Sequence, residues 1–106
     1  MVLYVVKWNL HPDKVEAYTK WVKSAIQRQM AVKGVVELRA YRAAAGCHRI
    51  VATYEFADMA AWAVWQSHED VQKSREELGA FASDVTSELW GPSPVTPAGP
   101  PRKVNL

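Results

Sequence analysis

The middle of the chain reads VVELRAYRAAAGCHRIVATYEF over residues 35–56. Residues 35–42 and 48–56 each alternate apolar and polar side chains, which is the pattern of a strand with one buried face. Between them, residues 43–47 include a glycine and indicate a short turn. This stretch therefore predicts a β-hairpin.

The two faces of this hairpin differ in chemistry. The apolar face, which we expect to pack under helices, consists of Val36, Leu38, Ala40, Ile50, Ala52, Tyr54 and Phe56. The second face consists of Glu37, Arg39, Tyr41, Arg49, Val51, Thr53 and Glu55, with Lys7 of a preceding strand expected nearby. It is either a solvated surface with weak cross-strand ion pairs or the wall of a polar cavity closed by a second copy of the chain. The residues leave both interpretations open.

A strand and a helix precede the hairpin. Residues 2–8 are β-branched and aromatic and predict a first strand, which Pro12 closes. Asp13 and Glu16 have the spacing of a capping box, so a helix is expected to begin there. Apolar residues at three- and four-residue spacing continue this helix, and Gly34 ends it.

A broken helical region and a final segment follow the hairpin. Asp58 is predicted to cap a short helix, and Ser67 with Asp70 forms a second capping box that begins a further helix. Residues 84–90 fit either a helix, by the spacing of their apolar side chains, or a short strand ended by Gly91. We favour the strand.

The order strand, helix, strand, strand, broken helix, strand consists of two β-α-β halves. Such halves close into a four-stranded antiparallel sheet with the helices on one face. The predicted fold class is therefore α+β, with a ferredoxin-like βαββαβ topology.

Length and charge bound the organisation of the chain. Its 106 residues suffice for one domain, which we place at residues 1–90. Five of the six prolines fall within residues 91–106, which predicts an extended proline-rich C-terminal tail. Because Arg102 and Lys103 lie in that tail, residues 1–90 carry equal numbers of basic and acidic side chains. They lack the basic stripe of a nucleic-acid-binding domain.

Cysteine and histidine usage does not indicate a metal site. Cys47 is the single cysteine, and His11, His48 and His68 do not have the spacing of metal ligands. The longest apolar run, residues 59–65, is far shorter than the ~20 residues of a membrane span. We therefore expect a cytoplasmic protein that binds no metal, no membrane and no nucleic acid.

Residues 54–65, YEFADMAAWAVW, resemble a segment of the antibiotic-biosynthesis monooxygenase-like proteins of the dimeric α+β barrel superfamily. In that segment a strand leads into a capped helix with an aromatic residue, here Trp62, three positions before a Trp or His, here Trp65. The resemblance covers about residues 2–90. It implies a homodimer whose two sheets pack face to face as a dimeric α+β barrel, with a pocket between sheet and helices in each protomer.

The resemblance also implies a chemistry. Characterised relatives use no flavin, haem prosthetic group or metal and let an electron-rich aromatic substrate react with oxygen directly, so no cofactor is expected. Other relatives degrade haem with an Asn, a Trp and a His. Trp65 matches the Trp, Asn9 is displaced by about two residues from the Asn, and Arg75 falls at the His position. Haem degradation is disfavoured because Arg75 offers no imidazole for the iron.

Six residues are candidates for a functional site. The catalytic candidates are Trp65, His68 and Asn9, and the substrate-binding candidates are Arg39, Tyr41 and Trp62. His68 would act as the base that deprotonates a phenol-like substrate. Arg39 and Tyr41 would hold the resulting anion only if the pocket opens on the second sheet face, whereas Asn9 and Trp65 would border it from the helix side.

Two functions fit these features. The first is a cofactor-independent monooxygenase-like protein that acts on a small aromatic or quinone-like compound. The alternative is a non-catalytic module on the same dimeric fold that binds a small ligand or another protein.

Overall fold

The computed structural model describes residues 1–44 and 49–92. Residues 45–47 of the turn expected at residues 43–47, together with His48 and the tail from residue 93 onward, lie outside these ranges. The strands are β1 Val2–Leu10, β2 Val35–Arg42, β3 Arg49–Phe56 and β4 Ala82–Trp90, and the helices are α1 Val15–Ala31, α2 Met59–Ser67 and α3 Glu69–Leu78. Within the described ranges, no helix is both long and apolar enough to cross a membrane.

The four strands form one antiparallel sheet in the order β2-β3-β1-β4. This order and the alternation of strands and helices are ferredoxin-like and confirm the predicted α+β fold. The hairpin predicted from residues 35–56 is present as the β2–β3 pair. Residues 84–90 belong to β4, which confirms the strand interpretation of that segment.

One face of the sheet packs under the helices and forms the core. The register of β1 and β3 places Tyr4 opposite Tyr54, so these side chains lie on the same face. Phe56 of β3 and Trp65 of α2 are almost completely buried, at 0% and 1% exposure. The helices are therefore held to the sheet mainly by the burial of large aromatic side chains.

Val36 departs from the face predicted for it. A register shift between Val35 and Glu37 interrupts the regular pairing of β2 with β3. Val35 is the residue opposite Phe56 and packs against the core, whereas Val36 is 57% exposed. The assignment of Val36 to the apolar face is wrong, because Val36 is the extra residue at this irregularity, where β2 advances two positions while β3 advances one.

The cap predicted for α2 is correct, whereas the one predicted for α3 is not. Asp58 caps α2 as predicted, since its Oδ1 accepts the Ala61 N–H at 2.8 Å. The capping box at Ser67 is wrong. Ser67 is the last residue of α2 and donates its hydroxyl to a carbonyl of that helix. His68 caps α3 instead, with its Nδ1 accepting the Asp70 N–H at 3.1 Å.

The capping box predicted from Asp13 and Glu16 is also wrong. A 3-10 turn, Pro12–Lys14, comes first, and α1 begins at Val15 without a hydrogen bond from a capping side chain. The ring of Pro12 fixes its φ and suits the first position of such a tight turn. The start of the helix is therefore displaced beyond Asp13.

Helices α1 and α3 are joined by a small polar cluster. The Glu77 carboxylate accepts hydrogen bonds from the Arg28 guanidinium and, at 3.2 Å, from the Trp21 indole N–H. These donors, Arg28 first, hold the pKa of Glu77 below its ordinary value. The cluster fixes the relative position of two helices that lie over the same sheet face.

Gly34 joins α1 to β2 with a φ of +128°, a conformation that residues with a Cβ rarely adopt. We predict that Gly34→Ala lowers the free energy of unfolding by about 1–3 kcal/mol, measured by urea denaturation. Gly91→Ala is the matched control, since a Cβ at Gly91 meets no atom within 4 Å. It should leave stability unchanged or raise it slightly. Equal stabilities of the two variants would contradict backbone strain at Gly34.

Candidate functional site

A pocket lies between the apolar sheet face and the helices. It encloses about 690 Å³, a volume that includes its open mouth. Its aliphatic floor on the sheet consists of Val6, Leu38, Ala40, Ile50 and Ala52. The sides are formed by α1, by α3 and by Trp65 of α2. The exposed residues of this lining are Ile26 of α1 and Ala40 of β2, which places the mouth between those two elements.

Aromatic side chains line one wall of the pocket around Trp65. The Trp65 ring lies 5.1 Å from the ring of Tyr54 and 6.2 Å from that of Tyr4. Its indole N–H donates to the Gln29 carbonyl at 3.1 Å, which ties α2 to the end of α1. Trp65 therefore presents a fixed aromatic surface to the pocket.

A cation lies beside this aromatic wall. The Arg75 guanidinium of α3 donates to the Tyr4 hydroxyl at 2.9 Å. Its central carbon is also 5.8 Å from the centroid of the Tyr4 ring, a cation–π distance. Two interactions therefore orient Arg75 at this end of the pocket.

Tyr54 adds a buried hydroxyl to the same region. It donates to the Gln29 side-chain oxygen at 3.0 Å. Burial is the largest cause that raises the pKa of Tyr54 above its ordinary value, and the neighbouring Tyr4 adds to it. Tyr54 therefore stays a neutral hydrogen-bond donor at neutral pH.

Trp8 and Tyr18 line the pocket towards the other end of β1. Both are buried, with 7% and 5% exposure. Burial raises the pKa of Tyr18, and the nearby indole N–H of Trp8 opposes that rise. This end of the pocket therefore offers neutral polar groups.

The titratable side chains among the described residues of the lining are Tyr4, Tyr18, Tyr54 and Arg75. Because Arg75 is charged at all accessible pH values, it makes this end of the pocket electropositive. The pocket can therefore take a planar apolar ligand and place an anionic oxygen beside Arg75.

Three of the predicted site residues lie on the helix side of the sheet. Trp65 lines the pocket as expected. Trp62 packs against the outer side of Tyr4, with ring centroids 5.8 Å apart, and is not part of the lining. His68 caps α3 with its side chain 47% exposed and does not line the pocket either.

The other three predicted residues lie on the second sheet face. Asn9 donates to Asp84 and accepts from Arg49, each at 2.9 Å. Arg39 donates to the adjacent Glu37, and Tyr41 is 53% exposed. Because alternate residues of a strand point to opposite faces, Asn9 does not border the pocket from the helix side as predicted. The pocket thus brings Trp65 together with none of the other five candidates.

Sequence reasoning missed Arg75, Tyr4 and Gln29 as site residues. Arg75 was considered only as a replacement for a histidine. The alternation in β1 could have placed Tyr4 and Trp8 on the face of the pocket, since residues four apart on a strand share a face. The pairing of Arg75 with Tyr4 joins residues 71 positions apart, and no local pattern reports it.

A metal site was not expected from the sequence. Over residues 1–44 and 49–92, no three His, Cys, Asp or Glu side chains cluster in a way that could hold a metal ion.

Comparisons with known proteins give a consistent picture. The model of the family described as antibiotic biosynthesis monooxygenase matches residues 1–77. No curated protein sequence matches the chain.

The fold resembles that of several solved structures. Rv0793 from Mycobacterium tuberculosis is 17% identical, with a TM-score of 0.73 over 87% of this chain and 94% of the other. SnoaB, a cofactor-independent oxygenase from Streptomyces nogalater, is 16% identical, with a TM-score of 0.72 over 92% of this chain and 97% of the other. PA3566 from Pseudomonas aeruginosa is 15% identical, with a TM-score of 0.68 over 84% of this chain and 90% of the other. At these identities the likeness is one of fold.

The buried Tyr54 hydroxyl predicts a loss of stability at alkaline pH. An unfolded tyrosine ionises near pH 10.0, whereas Tyr54 keeps its proton in the fold because its pKa is raised. Above that pH the unfolded state binds fewer protons than the folded state, so the free energy of unfolding falls as pH rises. One such group contributes a slope of at most about 1.4 kcal/mol per pH unit.

Tyr54→Phe should make this decline shallower, measured by urea denaturation between about pH 9 and 11.5. Tyr41→Phe, which removes an exposed hydroxyl on the second face, is the control and should keep the wild-type slope. A wild-type slope in the Tyr54→Phe variant would show that this hydroxyl ionises equally in both states.

Proposed function

We propose a reaction for this chain, which belongs to the antibiotic biosynthesis monooxygenase family: the oxygenation of a small aromatic or quinone-like compound, without a cofactor, in the pocket between sheet and helices. The observation that carries this proposal is the pairing of Arg75 with Tyr4 inside an aromatic wall. The likeness in fold to SnoaB, named as a cofactor-independent oxygenase, supports it.

The walls of the pocket suit a flat aromatic ring. Trp65 and Tyr54 offer ring surfaces, and the sheet beneath them is aliphatic. Stacking and edge contacts between such rings add to the burial of apolar area. A bound ring would also exclude water from the pocket, and this strengthens electrostatic interactions within it.

Arg75 supplies the charge that the reaction needs. A phenol reacts with oxygen much more readily as its anion, because the anion gives up an electron more easily. A guanidinium at hydrogen-bond distance stabilises that anion and lowers the pKa of the bound phenol. Tyr4, which already accepts a hydrogen bond from Arg75, positions the guanidinium.

The reaction balances without an added reductant. The phenolate transfers one electron to O2, and the phenoxyl radical and superoxide so formed combine at an unsubstituted ring carbon, where part of the unpaired spin lies. Uptake of a proton gives a hydroperoxide, which loses water to leave a quinone. One oxygen atom of O2 enters the product and the other leaves as water. That water carries the hydrogen of the oxidised ring carbon and one proton from solvent, which replaces the proton that the phenol released.

In this proposal the phenolic proton of the substrate goes to solvent and not to a side chain of the pocket. Tyr18 and Tyr54 hold their own protons because burial raises their pKa values, so neither is a base at neutral pH. The proton passes to solvent at the mouth of the pocket or is lost before binding. The rate should therefore follow the pKa of the substrate, lowered by Arg75, and not that of a histidine.

We predict that Arg75→Gln lowers kcat/KM for oxygen uptake with an electron-rich phenol or hydroquinone by roughly 100-fold. The amide keeps a donor near Tyr4 but removes the charge. Consumption of O2 is measured with an oxygen electrode over a range of pH. The rise of the wild-type rate with pH should shift to a higher pH in the variant.

Lys73→Gln is the matched control, since it removes an exposed cation from the same helix. It should keep the wild-type rate and pH profile. If Arg75→Gln consumed oxygen as fast as Lys73→Gln, the proposed role of Arg75 would be wrong.

A second function, ligand binding without catalysis, is favoured by the composition of the lining, whose titratable groups are three tyrosines and one arginine. A pocket of this kind can hold an aromatic anion without turning it over. A rise in melting temperature with such a ligand, with no consumption of O2 or of the ligand, would support this alternative.

We also propose that the protein forms a homodimer through the second sheet face. Two large aromatic side chains on that face are more than half exposed, Tyr41 on β2 and Trp90 on β4. Val51 of the inner strand β3 lies beside Tyr41, in register with it and with Lys7. Apolar area of this kind, surrounded by charged residues, is typical of a contact surface between proteins.

We predict that Val51→Arg converts the dimer to a monomer, because it places a charge at the centre of this face. Multi-angle light scattering at micromolar concentration gives the mass. Val64→Arg makes the same replacement on the outer side of α2, where Val64 is 71% exposed, and should remain dimeric. A monomeric wild-type protein would rule out association through this face.

A further inference from the structure

The five tryptophans differ in what their indole N–H groups donate to. Trp21 donates to Glu77, Trp65 to the Gln29 carbonyl and Trp90 to Glu88. The N–H groups of Trp8 and Trp62 are buried without a hydrogen-bond partner among the described residues. Buried donors of this kind are rare in proteins, because an unpaired polar group loses its hydrogen bonds to water.

The two unpaired N–H groups differ in their position relative to the pocket. Trp62 packs on Tyr4 away from the pocket and is not part of its lining. Trp8 lines the pocket and is 93% buried, having an exposure of 7%. A ligand in the pocket is therefore within reach of the Trp8 side chain.

A second polar group accompanies Trp8. The Tyr18 hydroxyl lies near enough to the Trp8 N–H for that N–H to lower the Tyr18 pKa against the larger effect of burial. The two groups are close, but the Trp8 N–H makes no hydrogen bond of regular geometry to Tyr18 or to any other described residue. Both are therefore available to a third partner, and both can donate.

This pair lies far from Arg75 along the pocket. Tyr4, which is bonded to Arg75, and Trp8 are four residues apart on the same face of β1. At the rise of a β-strand their Cα atoms are roughly 13 Å apart. Val6, between them on that face, contributes an aliphatic floor. The pocket thus has a cationic end and a neutral donor end with apolar surface between.

We propose that the Trp8 N–H and the Tyr18 hydroxyl are specificity determinants, which receive a carbonyl oxygen at the end of the ligand remote from Arg75. This inference rests on the proposed function in that it concerns the same pocket. It adds a requirement to the substrate: an aromatic compound with an ionisable hydroxyl at one end and a carbonyl group at the other.

The test compares two phenols that differ in one group. Para-hydroxyacetophenone has a ketone opposite its hydroxyl, and para-ethylphenol has an alkyl group of similar size in its place. Binding of each to the full chain is measured by isothermal titration calorimetry in oxygen-free buffer, so that turnover does not interfere. Wild-type protein should bind the ketone about 3- to 10-fold more tightly, which is the range for one or two hydrogen bonds.

Trp8→Phe and Tyr18→Phe keep the aromatic rings and remove the donors. Each should reduce the preference for the ketone, and Trp8→Phe should bring the two affinities within about 2-fold of each other. The affinity for para-ethylphenol reports whether the pocket is intact in each variant. Trp90→Phe removes an indole N–H from the second sheet face and should keep the wild-type preference.

Equal binding of the two phenols by the wild-type protein would overturn the inference, as would a preference that survives Trp8→Phe and Tyr18→Phe. Binding of both phenols without oxygen uptake would count against the proposed reaction, while a ketone preference lost in Trp8→Phe would still support the donor pair. Failure to bind either phenol would overturn the inference together with the aromatic ligand of the proposed function.

Discussion

The burial of Trp65 is the contact on which the rest of the structure depends. Its ring packs on Phe56 and Tyr54 of the sheet, and its N–H is bonded to the carbonyl of Gln29 at the end of α1. Its Cβ lies beside Gly34, which turns the chain from α1 into β2. One side chain therefore joins helices α1 and α2 to the sheet, and the same ring forms a wall of the pocket. Packing and ligand binding are not separable at this position.

The period of two in the strands divides the protein between two tasks. Residues on one face of the sheet meet the helices and enclose the pocket. Residues on the other face include charged side chains, with exposed aromatic groups on the edge strands β2 and β4. Because each strand serves both faces, a shift of one residue exchanges them, as Val35 and Val36 illustrate. The proposed dimer and the proposed reaction thus lie on opposite sides of the same four strands.

The lining of the pocket limits the chemistry that the protein can contribute. It offers aromatic surfaces, neutral donors and one cation, so its effect is to hold an anion in a dry, oriented position. In the proposed reaction the electrons for oxygen come from the ligand itself. The hydrogen bond from Arg75 to Tyr4 of the sheet holds the guanidinium in a fixed position, where it can stabilise such an anion. The proposed reaction uses no histidine base, and His68 caps a helix at the surface.

Local sequence patterns predict much of the fold. Alternation defines the hairpin, Asp58 sets the start of α2, and the order of strands and helices indicates the ferredoxin-like sheet. The segment of residues 54–65 also carries the resemblance to the family whose model matches residues 1–77, because it combines a strand end, a cap and two tryptophans. These features depend on neighbours in the sequence, and a short range suffices to recognise them.

The site depends on contacts that no short range contains. Arg75 meets Tyr4 across 71 positions. That the Trp8 N–H has no acceptor among residues 1–44 and 49–92 is visible only when the helices have been placed over the sheet. Asn9 was expected beside Trp65, yet the pleat of β1 turns it to the opposite face. Strand periodicity sorts residues between faces, but the packing of helices on the sheet selects which side chains meet. Local patterning thus fixes the elements and the family, and three-dimensional packing fixes the site, because hydrogen bonds between distant residues arise only in the folded chain.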